Sequence, residues 1–478
     1  MMIPVFREYL ADMSTPVSVL RQLQDEHAVF LLESVEGSEK WARYSFIGVN
    51  PDIILREYPG GVELETVAAR EKRFIAGADG LNELKKLLSG RRVAPGVSPL
   101  PLPGGAIGYV GYDAIADFEP AVKPPCAADT PRMCFMLTGE IITFDNLRHT
   151  ILISACVRDA DYSDPHTAYE EAQKRIESLH SRLGATCTAP SLPAERVSAA
   201  VSPMVPEMTC EEYCRRVEAA KQAIRDGECI QIVLSQKFCL PAPADALQLY
   251  RALRLINPSP YTFFTRFEDC TLIGASPEEM VKLSGRTASV RPIAGTRPRG
   301  RSREEDLRNA DEMVNSQKER AEHLMLVDLG RNDIGRVAAR GTVQVKELMK
   351  VERYSHVMHM TSHVEAQLDE ARDCFDLFRA AFPAGTLSGA PKIRAMQFIA
   401  EHEKSPRGIY GGAAGYFSYT GEMDFAIVIR TMILQNGELT MRAGAGIVAD
   451  SIPEEEYRET INKSKAVFKA VELAASLQ

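Results

Sequence analysis

Apolar and polar positions change period several times along the chain, and each change predicts an element. Val29-Phe-Leu-Leu32, the polar pair Glu33-Ser34 and a second run ending Arg43-Tyr-Ser-Phe-Ile-Gly48 predict a β-hairpin. Gly104-Gly-Ala-Ile-Gly108-Tyr-Val-Gly111 is apolar and dense in glycine. It lacks the Lys-Ser/Thr ending of a phosphate loop, so close backbone packing is its expected use. Residues 165–183 predict a helix rich in Glu, Lys and Arg. Residues 185–206 are rich in Ala, Ser and Pro without a period. They predict a linker between an N-terminal domain, 1–184, and a second domain, 207–478.

Past the linker the helical period is strong. Thr209 and Glu212 have capping-box spacing, Tyr213, Val217, Ala220 and Ile224 make one stripe, and Gly227 closes the helix. Ile230, Ile232 and Leu234 then alternate with Gln231, Val233 and Ser235 as a strand. Ser302/Glu305 and Ser316/Glu319 predict two more capping boxes. Pro383 to Pro391 predicts a loop, with Pro391 in the first turn of the next helix. Phe425 to Leu434 predicts one strand apolar on both faces, hence buried. Asn436-Gly437 predicts a tight hairpin back from it, and the acidic run after Pro453 starts the last helix.

Composition narrows the class. The 478 residues exceed the usual size of a single core, 45% are hydrophobic and 25% charged, and the net charge of −9 argues against general nucleic-acid binding. No apolar run approaches the roughly 18–20 residues of a membrane span. The first residues lack a signal-peptide core. These features predict a cytoplasmic protein. Ten cysteines include no Cys-x-x-Cys, and no histidine joins Cys210 and Cys214 at zinc spacing. They are expected to be buried free thiols.

Candidate chemistry concentrates in the second half. Pro292-Ile-Ala-Gly-Thr-Arg-Pro-Arg-Gly300 combines glycines, a hydroxyl and cations, the makings of a rigid loop for a small anion. Arg430 interrupts a buried run, and a buried guanidinium needs either an internal carboxylate or a bound one. Residues 444–449 fit Gly-x-Gly-x-x-Ala, but the helix starts too late and after an antiparallel hairpin, which excludes a dinucleotide site. Bare backbone N–H groups facing an anion are the better use of Gly444 and Gly446.

Ten segments in order across residues 209–470 resemble the chorismate-utilising enzymes. They include Gly274-Ala-Ser-Pro-Glu278, Pro292-Ile-Ala-Gly-Thr-Arg, Glu322-His-Leu-Met-Leu-Val-Asp, Tyr354-Ser-His-Val-Met-His359, Gly385-Thr-Leu-Ser-Gly-Ala-Pro-Lys392, Tyr410-Gly-Gly, Ile427-Val-Ile-Arg430 and Glu459-Thr-Ile-Asn-Lys463. The resemblance is strongest to the anthranilate-forming branch. It implies an α+β fold in which two antiparallel sheets pack as a sandwich flanked by helices around a central cleft. It implies that Glu322 and Glu459 hold Mg²⁺, and that Tyr410, Arg430 and the Gly444-Ala445-Gly446 backbone grip chorismate, with Gly295 and Thr296 also in contact. His359 would act as general acid for the departing hydroxyl, and Glu278 and Thr386 would orient groups around the ring. His356, Arg297 and Arg299 receive no role.

Two positions select among sister reactions. Ala294 stands where 4-amino-4-deoxychorismate synthases carry a nucleophilic lysine, and Gln231 stands where isochorismate-forming members carry a lysine base. Neither residue can replace lysine, so external ammonia is the expected nucleophile. The family pairs with a glutamine amidotransferase, and no Gly-x-Cys-x-Gly elbow occurs here, so that partner is expected on a separate chain. The resemblance also implies feedback inhibition by tryptophan at Glu33, Ser34, Pro260, Tyr261 and Thr262, the last in place of a methionine. The alternatives are 4-amino-4-deoxychorismate synthesis and a non-catalytic chorismate- or tryptophan-binding regulator.

Overall fold

The fold was taken from a computed structural model, which describes residues 1–23, 28–35, 43–125, 130–184, 201–354 and 357–476. Most of residues 185–206, the turn of the first hairpin and His356 lie outside the described residues. Among those described, the strands form two sheets of twelve, and every strand pairing is antiparallel. Both sheets draw on both halves of the chain. Strand Val29–Glu33 lies between Tyr44–Val49 and Tyr261–Arg266 in the first sheet, with Glu33 opposite Thr262. In the second, Gly105–Val110 pairs with Ala413–Ser418.

The layers follow from which faces are apolar. Phe30, Phe46, Phe263 and Leu272 of the first sheet meet Ile107, Tyr109 and Tyr416 of the second in one buried cluster, so the sheets pack face to face. The outer face of the first is covered by helices Pro165–Ser181, Ala246–Ile256 and Pro453–Ser476. The outer face of the second carries helices Gly80–Ser89 and Cys374–Ala381. Phe375, Phe378, Phe417 and Phe425 stack there with neighbouring ring centroids as close as 4.6 Å. Each such ring contributes roughly 1.5–3 kcal/mol by burial. The glycine-dense run packs as expected, since a Cβ at Gly108 would stand 1.9 Å from the Cys134 carbonyl oxygen.

Several local expectations hold. Thr209 and Glu212 cap helix Cys210–Arg225 reciprocally. Asn436 and Gly437 both have positive φ and close the hairpin between Thr431–Gln435 and Glu438–Ile447. The eight described cysteines are free and five of them are buried, but against expectation Cys210 is exposed and Cys214 and Cys239 are half-buried.

Others need correction. Phe425–Leu434 is not one strand. Met423–Ile427 belongs to the second sheet and Thr431–Gln435 to the first, and the chain crosses between them at Val428–Arg430. Hydrophobicity on both faces concealed the break because both pieces are buried, while Arg430, at φ +52°, makes the turn. The 292–300 stretch is not a loop. Ile293–Pro298 is an edge strand on Val357–Gln367, with a bulge between Ala294 and Thr296 at Gly295, whose φ is +68°. Strand Gln231–Pro241 does not alternate, because Gln231, Val233 and Ser235 are also buried. Ser302 and Ser316 do cap helices Arg303–Asn315 and Gln317–Gly335. The return bonds are absent: Glu305 accepts from the Arg301 N–H, and Glu319 pairs with Arg297 at 2.6 Å. The turn before helix Lys392–His402 folds as a short helix, Gly385–Ser388, and Pro391 is the N-cap of the longer one.

Candidate active site

A cavity of about 890 Å³ opens where the chain leaves the second sheet for the first. Its walls come from strands Gln231–Pro241 and Glu438–Ile447, the Gly385–Ser388 turn, the crossover at Ile429-Arg430, and helices Gln317–Gly335 and Pro453–Ser476. Eight of the residues singled out in the sequence line it: Glu278, Glu322, Thr386, Tyr410, Arg430, Gly444, Gly446 and Glu459. Ala445 lies between the two glycines but is fully buried in the apolar core behind the wall.

Arg430 is the dominant charge. It forms no ion pair within 4 Å among the described residues, and its hydrogen bond goes to the Lys463 carbonyl at 3.4 Å. Burial holds its pKa below the usual arginine value, against the opposing pull of Tyr410 and Glu459. The internal carboxylate that the sequence left open is therefore missing, and the guanidinium faces the cavity. Tyr410 is buried, and burial pushes its phenol up to about 12, with Arg407 acting against the shift. It stays a neutral hydrogen-bond donor. A Cβ at Gly444 would stand 2.9 Å from the Tyr410 hydroxyl, and one at Gly446 would stand 2.5 Å from the Gln231 amide nitrogen. Glycine at both keeps this backbone bare to the cavity.

In the same cavity, burial pushes the Glu278 carboxyl up to about 7, and the Thr386 hydroxyl and Lys463 offset only part of that. A carboxyl poised there can hold or release a proton near neutrality. Glu322 is also raised, first by loss of surrounding water, with the negative charges of Glu319 and Glu459 adding to it and Lys318 opposing. Helix Pro453–Ser476 brings Glu459 to the same cavity, where Lys463 pairs with it at 2.6 Å and also reaches the Gly444 carbonyl at 2.8 Å. Glu322 and Glu459 line the same cavity, and carboxylate oxygens are the hard donors that Mg²⁺ takes together with retained waters. Among the described residues no group of three or more His, Cys, Asp or Glu side chains gathers as a metal site.

His359, Gly295 and Thr296 form a separate group that does not line the cavity. His359 lies opposite Thr296 across the edge-strand pair, with its Nδ1 3.0 Å from the Thr296 Oγ1 and 3.3 Å from the Gly295 carbonyl. The group borders the helix that carries Glu322, because a Cβ at Gly295 would meet the Glu319 carboxylate at 2.4 Å. Arg297 and Arg299 have structural partners, Glu319 and Asp306.

A second cavity, of about 880 Å³, contains all five residues of the expected effector site, Glu33, Ser34, Pro260, Tyr261 and Thr262. Its floor is already paired. Glu33 accepts from the Tyr250 hydroxyl and from Arg254 at 2.7 Å, the Tyr261 hydroxyl donates to Glu279 at 3.0 Å, and Lys282 pairs with Asp424 at 2.8 Å.

Sequence reasoning missed Lys463, although it ends a quoted motif, and it missed Arg442 and Glu456 in the cavity wall. Nothing in the local sequence separates these side chains from surface charges on a strand or helix.

Residues 35–469 match the family model described as chorismate binding enzyme. The chain belongs to the chorismate-binding enzymes. It is 43% identical to anthranilate synthase component 1 of Acetivibrio thermocellus, over 100% of this chain and 96% of that one. It is 44% identical to the protein of the same name from Pseudomonas aeruginosa, over 99% and 96%. The crystal structure of anthranilate synthase component I from Streptococcus pneumoniae superposes with a TM-score of 0.78 at 37% identity, covering 89% of this chain and 92% of that one. The menaquinone-specific isochorismate synthase from Escherichia coli, at 18% identity and a TM-score of 0.73 over 98% of this chain and 95% of that one, shares the fold.

Proposed function

We propose that this chain is the large, chorismate-converting component of an anthranilate synthase, forming anthranilate and pyruvate from chorismate and ammonia. The observation that carries the reading is Arg430, a guanidinium in the cavity with no ion-pair carboxylate within 4 Å among the described residues. Chorismate has two carboxylates, an enolpyruvyl ether and an allylic hydroxyl. Its enolpyruvyl carboxylate completes the Arg430 pair, with Tyr410 donating beside it and the Gly444 and Gly446 backbone close by. The ring carboxylate faces Glu322 and Glu459. Mg²⁺ bound there supplies charge neutralisation of that carboxylate.

Ammonia adds to the ring as the hydroxyl departs, and the hydroxyl leaves as water only if it is protonated. His359 is the general acid of this reading, and Thr296 and Gly295 on its Nδ1 side hold the imidazole. Loss of the ring proton and cleavage of the enolpyruvyl C–O bond then release pyruvate and aromatise the ring, and Glu278 is placed to hold or move a proton at that stage. Ala294 on the edge strand and Gln231 in the cavity wall supply neither a nucleophile nor a base, which favours external ammonia over the sister reactions. A glutamine amidotransferase on a separate chain delivers that ammonia, and the relatives' designation as component 1 supports a second component.

Tryptophan is the ligand we assign to the 880 Å³ cavity, as a feedback inhibitor. The gathering of Glu33, Ser34, Pro260, Tyr261 and Thr262 around that space supports it. Full activity at millimolar tryptophan refutes it.

The reaction itself is tested by incubating the purified chain with chorismate, Mg²⁺ and ammonium at alkaline pH and identifying the product by chromatography. Anthranilate is expected. An amino-deoxychorismate product, or unchanged chorismate with tight binding, refutes the proposal.

A further inference from the structure

Behind the cavity lies a buried ionic cluster that none of the chemistry above uses. Arg407 and Glu403 have side chains 2% and 3% exposed and pair with each other just past the end of helix Lys392–His402, at 2.7 Å and 3.0 Å. Glu403 does not depend on Arg407 alone. It also accepts from the Ser235 N–H at 2.8 Å, the Ser235 hydroxyl at 2.9 Å and Arg442 at 3.3 Å. A second guanidinium brought into the interior only to balance this carboxylate would be redundant, and desolvating it is costly.

The remaining donors of Arg407 show a different use. Its Nη1 donates to the Leu387 carbonyl at 2.6 Å, and its Nη2 donates to the Val233 carbonyl at 2.8 Å. Its guanidinium carbon lies 4.5 Å from the Tyr112 ring centroid and 5.8 Å from that of Tyr410, both within cation–π range. The Tyr410 N–H donates to the Arg407 carbonyl at 3.2 Å. Val233, Leu387 and Tyr410 all line the substrate cavity, and Arg407 does not. They belong to three separate walls: the Gln231–Pro241 strand facing Gly444 and Gly446, the turn that carries Thr386, and the Tyr410 loop.

We infer that Arg407 is a positioning residue for the proposed chorismate site, a single guanidinium that fixes three cavity walls relative to one another from behind. Its planar fork is what the task requires. Two carbonyls and a carboxylate lie in different directions, and two rings need a flat cation between them. Lysine can serve Glu403 but cannot hold both carbonyls and stack on the rings. The inference rests on the reading of this cavity as the chorismate site, and a wild-type control separates the two. If wild type forms no anthranilate, the assignment of the reaction fails, whatever Arg407 does.

The test uses the full chain with ammonium as nitrogen source. Arg407→Lys is expected to raise the chorismate KM about tenfold or more while thermal unfolding shifts by only a few degrees, because Arg442 still balances Glu403. In Arg407→Ala, guanidinium ion at millimolar concentration is expected to restore much of the lost kcat/KM, and urea at the same concentration is not. Tyr112→Leu, which removes the ring platform without touching the ion pairs or the cavity lining, is expected to raise KM about threefold in the same direction. A purely structural role predicts an unchanged KM, with activity lost in proportion to the unfolded fraction and no guanidinium rescue, and that result overturns the inference. Should both Arg407 variants fail to fold, an unchanged KM in a stable Tyr112→Leu protein overturns it equally.

Discussion

The two large cavities have nearly the same volume, about 890 and 880 Å³, but opposite electrostatic states. In the first, Arg430 has no carboxylate within 4 Å among the described residues, Glu278 is raised to about 7, and Glu322 is raised in part by repulsion from Glu459. In the second, Glu33, Lys282 and Tyr261 are already engaged with residues of the protein. Unbalanced charge in a desolvated space favours a charged ligand and chemistry, whereas paired charge makes a preformed pocket that recognises shape and neutral or zwitterionic groups. Volume alone does not distinguish the cavity proposed for chorismate from the one proposed for tryptophan.

The largest expected effect is on the carboxylate pair. Glu322→Gln or Glu459→Gln is expected to lower Mg²⁺-dependent turnover by more than about 100-fold, beyond what loss of an outer-shell partner costs. Far-UV circular dichroism should stay unchanged. Near-normal turnover at saturating Mg²⁺ in either variant removes the metal assignment. Next is His359→Ala, expected to slow turnover on the order of 10²–10⁴-fold, measured as steady-state kcat. A loss under about tenfold takes His359 out of the mechanism, and its position outside the cavity lining makes this a demanding test.

A smaller effect concerns pH. The Glu278 carboxyl is raised from its ordinary value to about 7 by burial. Its protonated form is therefore retained up to neutrality, and any contribution from that form is complete at low pH and lost as pH rises through about 7. The sign is the same for stability. The folded protein is favoured below the unfolded-state carboxylate value, and that advantage disappears between it and about 7. The kcat/KM profile is expected to show an inflection near 7 that Glu278→Gln removes. A profile identical in the two proteins excludes a titrating role for Glu278.

Much of the site was legible because its residues sit in short, distinctive clusters. Glu278, Thr386, Tyr410, Arg430 and the 444–446 glycines come from segments far apart in the chain, yet all but Ala445 reach one cavity. What was not legible has a common physical cause. Hydrophobic periodicity reports burial, not which sheet does the burying. Phe425–Leu434 is apolar throughout, so its transfer between sheets left no trace except Arg430 itself. Likewise Ile293–Pro298 has the glycine and proline of a loop but is held as a strand by its partner Val357–Gln367, a tertiary pairing that local propensity does not encode. Glu403 and Arg407, four residues apart, have the spacing of an ordinary surface pair on a helix. Only the structure shows both buried, with Arg407 joined to three walls of the cavity.

In the proposed function a substrate carboxylate completes Arg430, and each cavity takes its own ligand. The most direct measurement is calorimetric titration of Arg430→Met with chorismate and, separately, with tryptophan. Loss of a desolvated charge partner costs roughly 2–5 kcal/mol. Chorismate binding is therefore expected to weaken by at least about 30-fold, with tryptophan binding unchanged. Chorismate affinity equal to wild type, or an equal loss for both ligands, would contradict the account.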